Sequence, residues 1–79
     1  MSIEIKILGP GCANCKRLYA EAEKAIARLS VPATLIKVED IRDIMAYKIL
    51  ATPALVIHGE VKSAGRIPDA IEIGQWLAQ

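Results

Sequence analysis

An α/β fold, with elements in the order β-α-β-α-β-β-α around a four-stranded mixed sheet, is predicted by three observations. Strand patterns at residues 3–8 and 33–38 flank a long segment of helical period. Two further short runs, at 54–57 and 60–64, stand on either side of His58-Gly59, a hairpin turn signal. The segment after Pro68 returns to helical spacing. A parallel strand pair joined by a crossover helix, then a hairpin, with helices covering the sheet, accommodates this order.

Each element has a local reason. Residues 3–8 (IEIKIL) alternate and are rich in isoleucine, and Gly9, Pro10 and Gly11 break the strand. From Asn14, Cys15, Leu18, Tyr19, Ala22, Ile26 and Leu29 recur at steps of three and four, which predicts an amphipathic helix to about Ser30. Val31-Pro32 is expected to end it, before a second strand at 33–38 (ATLIKV). Asp40 is placed to cap a short helix carrying Ile41, Ile44 and Met45 on one face. Ala51-Thr52-Pro53 is expected to interrupt that helix, because a residue before proline disfavours helical angles. The run ALVI at 54–57 suits a buried strand and EVKSA at 60–64 its hairpin partner. Pro68 fits the first turn of a last helix, with Asp69 at its positive end and Ala70, Ile73, Trp76 and Leu77 inward. Glu4 and Lys6 sit uneasily in a first strand that should be central, and are expected to lie past the covering helices.

The 79 residues are expected to form one domain, 1–79, whose core must be built from Ile, Leu, Val and Ala because phenylalanine is absent and aromatics make up only 4%. A net charge of +1 with no basic stripe argues against a nucleic-acid surface. Glu4 and Lys6 interrupt the start where a signal peptide needs an unbroken apolar region. No apolar run approaches the roughly 18 residues of a membrane helix. A cytoplasmic protein that engages neither membrane nor nucleic acid is therefore expected. In a reducing compartment a close cysteine pair points to catalysis or metal binding. A bridge between Cys12 and Cys15 would close almost no loop and would add little to stability.

Cys12 and Cys15 fall at the entrance of the first helix and one turn inside it. Positions three apart on a helix lie about 5–6 Å apart at Cβ, close enough for a bridge that opens and closes with little backbone movement. Unpaired N–H groups and the positive end of the helix dipole favour a thiolate at Cys12. Cys12 is therefore read as the exposed nucleophile and Cys15, on the inner face, as the resolving thiol. Gly9 and Gly11 are expected to leave room for a partner's backbone. Two thiolates at this spacing also serve soft-metal sites, so that reading stays open beside thiol–disulfide exchange and inert thiols.

CANC on a strand-to-helix turn, followed some thirty residues on by YKILATPALVIHGEV, resembles the thioredoxin and glutaredoxin superfamily. The spacing of Tyr47, Ile49 and Pro53 before an apolar strand and Gly59 is thioredoxin-like, while the short length is glutaredoxin-like. The chain is similar to the small redox-active disulfide proteins of archaea and bacteria along essentially its whole length. The resemblance implies a minimal thioredoxin fold and a thiol–disulfide oxidoreductase that needs no cofactor and no metal. It implies a cis peptide bond at Pro53 and a substrate groove bordered by Gly11, Ala13, Asn14, Thr52, Pro53 and Gly65, where the Thr52 backbone pairs with extended substrate. The implied partners are a disulfide-bearing protein and an upstream reductase or low-molecular-weight thiol, and a monomer is expected. The chain departs from thioredoxins in having Gly11 before the first cysteine, Ala13-Asn14 between the two, and no acid where thioredoxins bury an aspartate beneath the resolving cysteine. Ala64-Gly65 stands where glutaredoxins carry paired glycines for glutathione.

His58 reads as a solvated hairpin residue, Tyr19 and Tyr47 as packing residues, Trp76 as core filler, and Lys16 and Arg17 as a solvated face. The first competing function is a copper-type soft-metal carrier; against it stand Gly-Pro-Gly before Cys12 and a tail that reads as helix. The second is an interaction module that has lost its chemistry.

Overall fold

The computed structural model describes residues 2–79, and Met1, the first residue of the expected 1–79 domain, lies outside the described residues. Seven elements follow in the expected order: β1 (Ile3–Leu8), α1 (Ala13–Leu29), β2 (Ala33–Val38), α2 (Ile41–Met45), β3 (Ala54–Ile57), β4 (Glu60–Ala64) and α3 (Ala70–Leu77). Across the sheet the order is β2-β1-β3-β4. β1 runs parallel to β2, with Ile3 opposite Ala33, and antiparallel to β3, with Ile5 opposite Ile57. His58 and Gly59, at φ 52° and 79°, make the tight turn that returns β3 into β4. Lys62 is the extra residue of a bulge, since Val61 pairs with Val56 while Ser63 pairs with Leu55.

Because strand side chains alternate, each strand serves two faces. Ile5, Ile7, Leu55 and Ile57 turn toward α1 and α3, where they meet Leu18, Ala22, Ala25, Ile73 and Leu77. Leu8, Ala54 and Val56 turn the other way and pack with Ile44 of α2. Full burial of each large aliphatic side chain contributes roughly 1.5–3 kcal/mol. The main core is therefore the layer between the sheet and the α1–α3 pair. This layer fixes the direction in which α1 leaves the end of β1.

The second face explains Glu4 and Lys6. α2 has only 5 residues and covers the Leu8 end of β1, leaving the earlier part of that face open. Lys6 Nζ donates to Tyr47 Oη at 3.1 Å and lies 3.5 Å from Glu4, so a central strand carries charge without stranding it.

Several expected details are corrected. α1 ends at Leu29 because Ser30 takes left-handed angles, φ 52° and ψ 38°, one residue before Val31-Pro32 could act. Pro32 instead supplies its carbonyl to Ile3 N–H at 2.8 Å, setting the β1–β2 register. Leu29 turns outward and Ala25 takes an inner position. α2 stops at Met45, well before Pro53, because its apolar stripe finds too little surface. Ile44 is buried at 4% exposure, whereas Ile41 and Met45 stay 65% and 66% exposed. Asp40 does cap it, accepting from Arg42 N–H at 2.8 Å. α3 begins at Ala70, after Pro68 rather than with it. Asp69 is its cap, accepting from Glu72 N–H at 2.9 Å. Glu21 of α1 accepts from Ala70 N–H at 3.0 Å and ties the two helices together. Trp76 is half-buried, with the Arg66 guanidinium 5.9 Å from its ring centre.

Candidate active site

The cysteine pair sits where β1 hands the chain to α1. Gly9 N–H donates to Val38 O at 3.0 Å, which holds the start of the loop against the end of β2. Cys12 occupies the N-cap position in extended conformation, and its carbonyl accepts the first helical bond, from Lys16 N–H at 3.1 Å. The first turn contains no acidic residue, so the positive end of the helix is left uncompensated there. Cys12 is exposed and Cys15, on the inner face, is 6% exposed.

Both cysteines are free thiols, with their Sγ atoms 2.9 Å apart. The hydrogen bond from Cys15 draws the Cys12 thiol below its ordinary pKa, helped by the backbone N–H groups of Cys15 and Asn14. No formal cap hydrogen bond to the Cys12 side chain is made, so the backbone acts here as a nearby field rather than a tight cradle. Burial pushes Cys15 the other way, and its bond to Cys12 raises it further. The two thiols are thus made unequal by one being wet and the other dry. The thiolate is thereby favoured at Cys12 and the protonated thiol at Cys15.

Pro53 is buried, and its peptide bond with Thr52 is cis. Gly9 brings Pro53 and the pair together. An added Cβ on Gly9 would overlap Cys15 Sγ and stand 3.8 Å from Pro53 Cα. Gly9 is itself buried, so the room it leaves is filled by its own chain rather than kept for a partner's backbone. Thr52 is exposed beside Pro53, and Gly65 N–H donates to Pro53 O at 2.9 Å. Ala13 and Asn14 are exposed in the first turn between the cysteines, and Gly11 is half-buried before them.

A cavity opens on the inner side of Cys15. Besides Cys15 it is lined by Ile7 and Tyr19, by Gly9 and Gly11, and by three charged side chains, Lys16, Lys37 and Glu39. Lys37 Nζ stands 4.9 Å from the Tyr19 ring centre. Of the residues expected to border the groove, only Gly11 faces this cavity; Thr52, Pro53 and Gly65 lie off it. Sequence reasoning missed Glu39. No local motif marks it, and the parallel register of β1 with β2 brings it to the cavity that Cys15 also lines. His58 stays exposed at the hairpin tip.

Among the described residues no three His, Cys, Asp or Glu side chains gather as metal ligands, so a metal at the pair would have two thiolates alone. The C-terminal segment is the helix α3, as the argument against a soft-metal carrier required. Among the described residues no helix is long and apolar enough to cross a membrane.

Comparison with known proteins agrees with this geometry. A family model described as a thioredoxin domain matches residues 3–78. A thioredoxin of Methanothermobacter thermautotrophicus is 34% identical over 76 residues, covering 96% of this chain and 99% of that protein. A thioredoxin of Methanocaldococcus jannaschii is 31% identical over 75 residues, covering 95% and 86%. In fold, the chain is similar to the germline-specific thioredoxin Deadhead of Drosophila melanogaster, with a TM-score of 0.66 at 14% identity over 98% of this chain and 79% of that one. The sheet order, the helix-capping cysteine pair and these relatives lead to one conclusion: the chain belongs to the thioredoxin family and is a thiol–disulfide oxidoreductase.

Proposed function

We propose that the protein reduces disulfides of other proteins through Cys12 and Cys15, with Cys12 as nucleophile and Cys15 as resolving thiol. The observation that carries this reading is the inequality of the pair: an exposed, acidified thiol at a helix start, 2.9 Å from a buried thiol with raised pKa. The Cys12 thiolate attacks one sulfur of a substrate disulfide, and the other sulfur leaves with the bonding electron pair. Cys15 then loses its proton and attacks Cys12 Sγ, and the bond between Cys12 and the substrate breaks. The substrate departs with two electrons more than it brought, and the protein is left with a Cys12–Cys15 disulfide. An upstream reductase or a low-molecular-weight thiol returns the pair to the dithiol. The resolving attack is fast because it is intramolecular.

In this reading Gly11, Ala13, Asn14, Thr52, Pro53 and Gly65 border the path of the substrate, and the exposed Thr52 backbone offers strand-like hydrogen bonds to an extended segment. The protein works as a single domain over residues 1–79, as a monomer, in the cytoplasm. The chromogenic disulfide dithiobis-nitrobenzoate tests the cycle. The reduced protein should release two equivalents of chromophoric thiol, one at each step, and Cys12→Ser should slow release by roughly a thousandfold or more. Release by Cys12→Ser at the wild-type rate would refute the assignment.

A further inference from the structure

The resolving step leaves one proton without a destination. Cys15 must shed it to attack, yet the thiol is buried and its ionisation is opposed by that burial. Among the described residues, Glu39 is the only carboxylate lining the cavity behind Cys15. Its Oε2 lies 2.6 Å from where a Gly11 Cβ would stand, filling the space that glycine leaves open in the loop before Cys12. The residue before it, Val38, is fastened to that loop by the Gly9 N–H bond of 3.0 Å. The ion pairs among the described residues engage Glu4, Glu21, Asp40, Glu60 and Glu72, and leave Glu39 out. A carboxylate outside those ion pairs thus lines the same cavity as Cys15.

We infer that Glu39 accepts the Cys15 proton across this cavity as Cys15 attacks the mixed disulfide. This rests on the assignment of Cys15 as the resolving thiol. The proton passes from Cys15 Sγ to a Glu39 oxygen, directly or through one water. The freed sulfur pair forms the Cys15–Cys12 bond, and the pair of the broken Cys12–substrate bond leaves on the substrate thiolate. When the protein's own disulfide is later reopened, Glu39 returns the proton to Cys15. A fixed acceptor replaces a chance encounter with a base from solution. The groups that share its surroundings are Lys16, Lys37 and Tyr19 around the cavity. In the adjoining cleft on its other side they are Glu4, Lys6, Asp40, Asp43 and Tyr47.

Stopped-flow reaction of the full chain with dithiobis-nitrobenzoate separates the two steps, because the first thiol released reports attack by Cys12 and the second reports resolution by Cys15. Glu39→Gln should leave the first phase unchanged and slow the second at least about tenfold near neutral pH. The deficit should close at alkaline pH, where hydroxide ionises Cys15, and added imidazole should restore the second phase in the variant more than in wild type. Glu39→Asp should recover part of the rate. A second phase at the wild-type rate in Glu39→Gln overturns the inference, as does a slowing of both phases alike that imidazole leaves untouched. The underlying reading fails differently: wild type would release no second equivalent, or Cys15→Ser would release it too, and the inference would fall with it.

Discussion

Cys15→Ser should halt the protein at a covalent adduct. The Cys12 thiolate still attacks, but a serine hydroxyl cannot displace the substrate sulfur, so each molecule carries one half of the substrate disulfide. Intact-mass measurement should show that increment on the full population, and reduction of dithiobis-nitrobenzoate should stop at one equivalent. The adduct should open on adding dithiothreitol. Cys12→Ser should form no adduct under the same conditions, because the remaining thiol is buried and its pKa is raised. Trapping through Cys15 in Cys12→Ser at the same rate would refute the assignment of roles. The serine at position 15 places a hydroxyl where the cysteine is 6% exposed, at a cost of about 1–3 kcal/mol. That cost lowers stability without altering which step is lost.

Gly9→Ala should damage both stability and turnover by one steric event. The new methyl would overlap Cys15 Sγ and press toward Pro53 Cα, 3.8 Å away. Cys15 lies at the start of a packed helix face with Leu18 and Ala22 behind it, so neither sulfur nor backbone can yield freely. Overpacking of this kind costs about 1–3 kcal/mol, and in a domain of this size about 4–8 °C of melting temperature per kcal/mol. A sulfur displaced from its 2.9 Å contact also loses the hydrogen bond that acidifies Cys12. Thermal melts should fall accordingly, and the release of both thiol equivalents should slow by more than about tenfold. Melting and kinetics indistinguishable from wild type would show that Gly9 does not hold the pair against Pro53.

The parts of the fold that could be read in advance are those with local causes. IEIKIL, ATLIKV, ALVI and EVKSA became strands with the boundaries expected, because alternation or an unbroken apolar run is bracketed by Gly, Pro or a turn dipeptide in each case. The cysteines' place at the start of α1 was equally local: a Gly-Pro-Gly break followed by a change of period. What escaped depends on surfaces that no local pattern reports. The length of α2 was decided by whether Ile41 and Met45 meet a partner, and they do not. The partner of Lys6, Tyr47, lies 41 residues away and became its neighbour only when α2 settled on the open face of the sheet. Glu39 is the same kind of case. In sequence it is one acid of the run VED, and the pairing of Leu8 with Val38 brings it to the cavity that Cys15 lines. Gly9 was expected to make room for a partner and instead packs against Cys15 and Pro53, a close approach within its own chain.

The central claim is that the fold makes two chemically identical thiols unequal, and residue-resolved alkylation as a function of pH tests it most directly. Only the thiolate reacts, so lowering a pKa moves labelling to lower pH and raising it moves labelling higher. Reduced protein treated with iodoacetamide over a pH series, then digested and analysed by mass spectrometry, should show Cys12 labelled with a midpoint below the free-thiol value of about 8.5. Cys15 should stay protected until well above it. Equal labelling of both cysteines at the free-thiol midpoint, or labelling of Cys15 ahead of Cys12, would contradict the account.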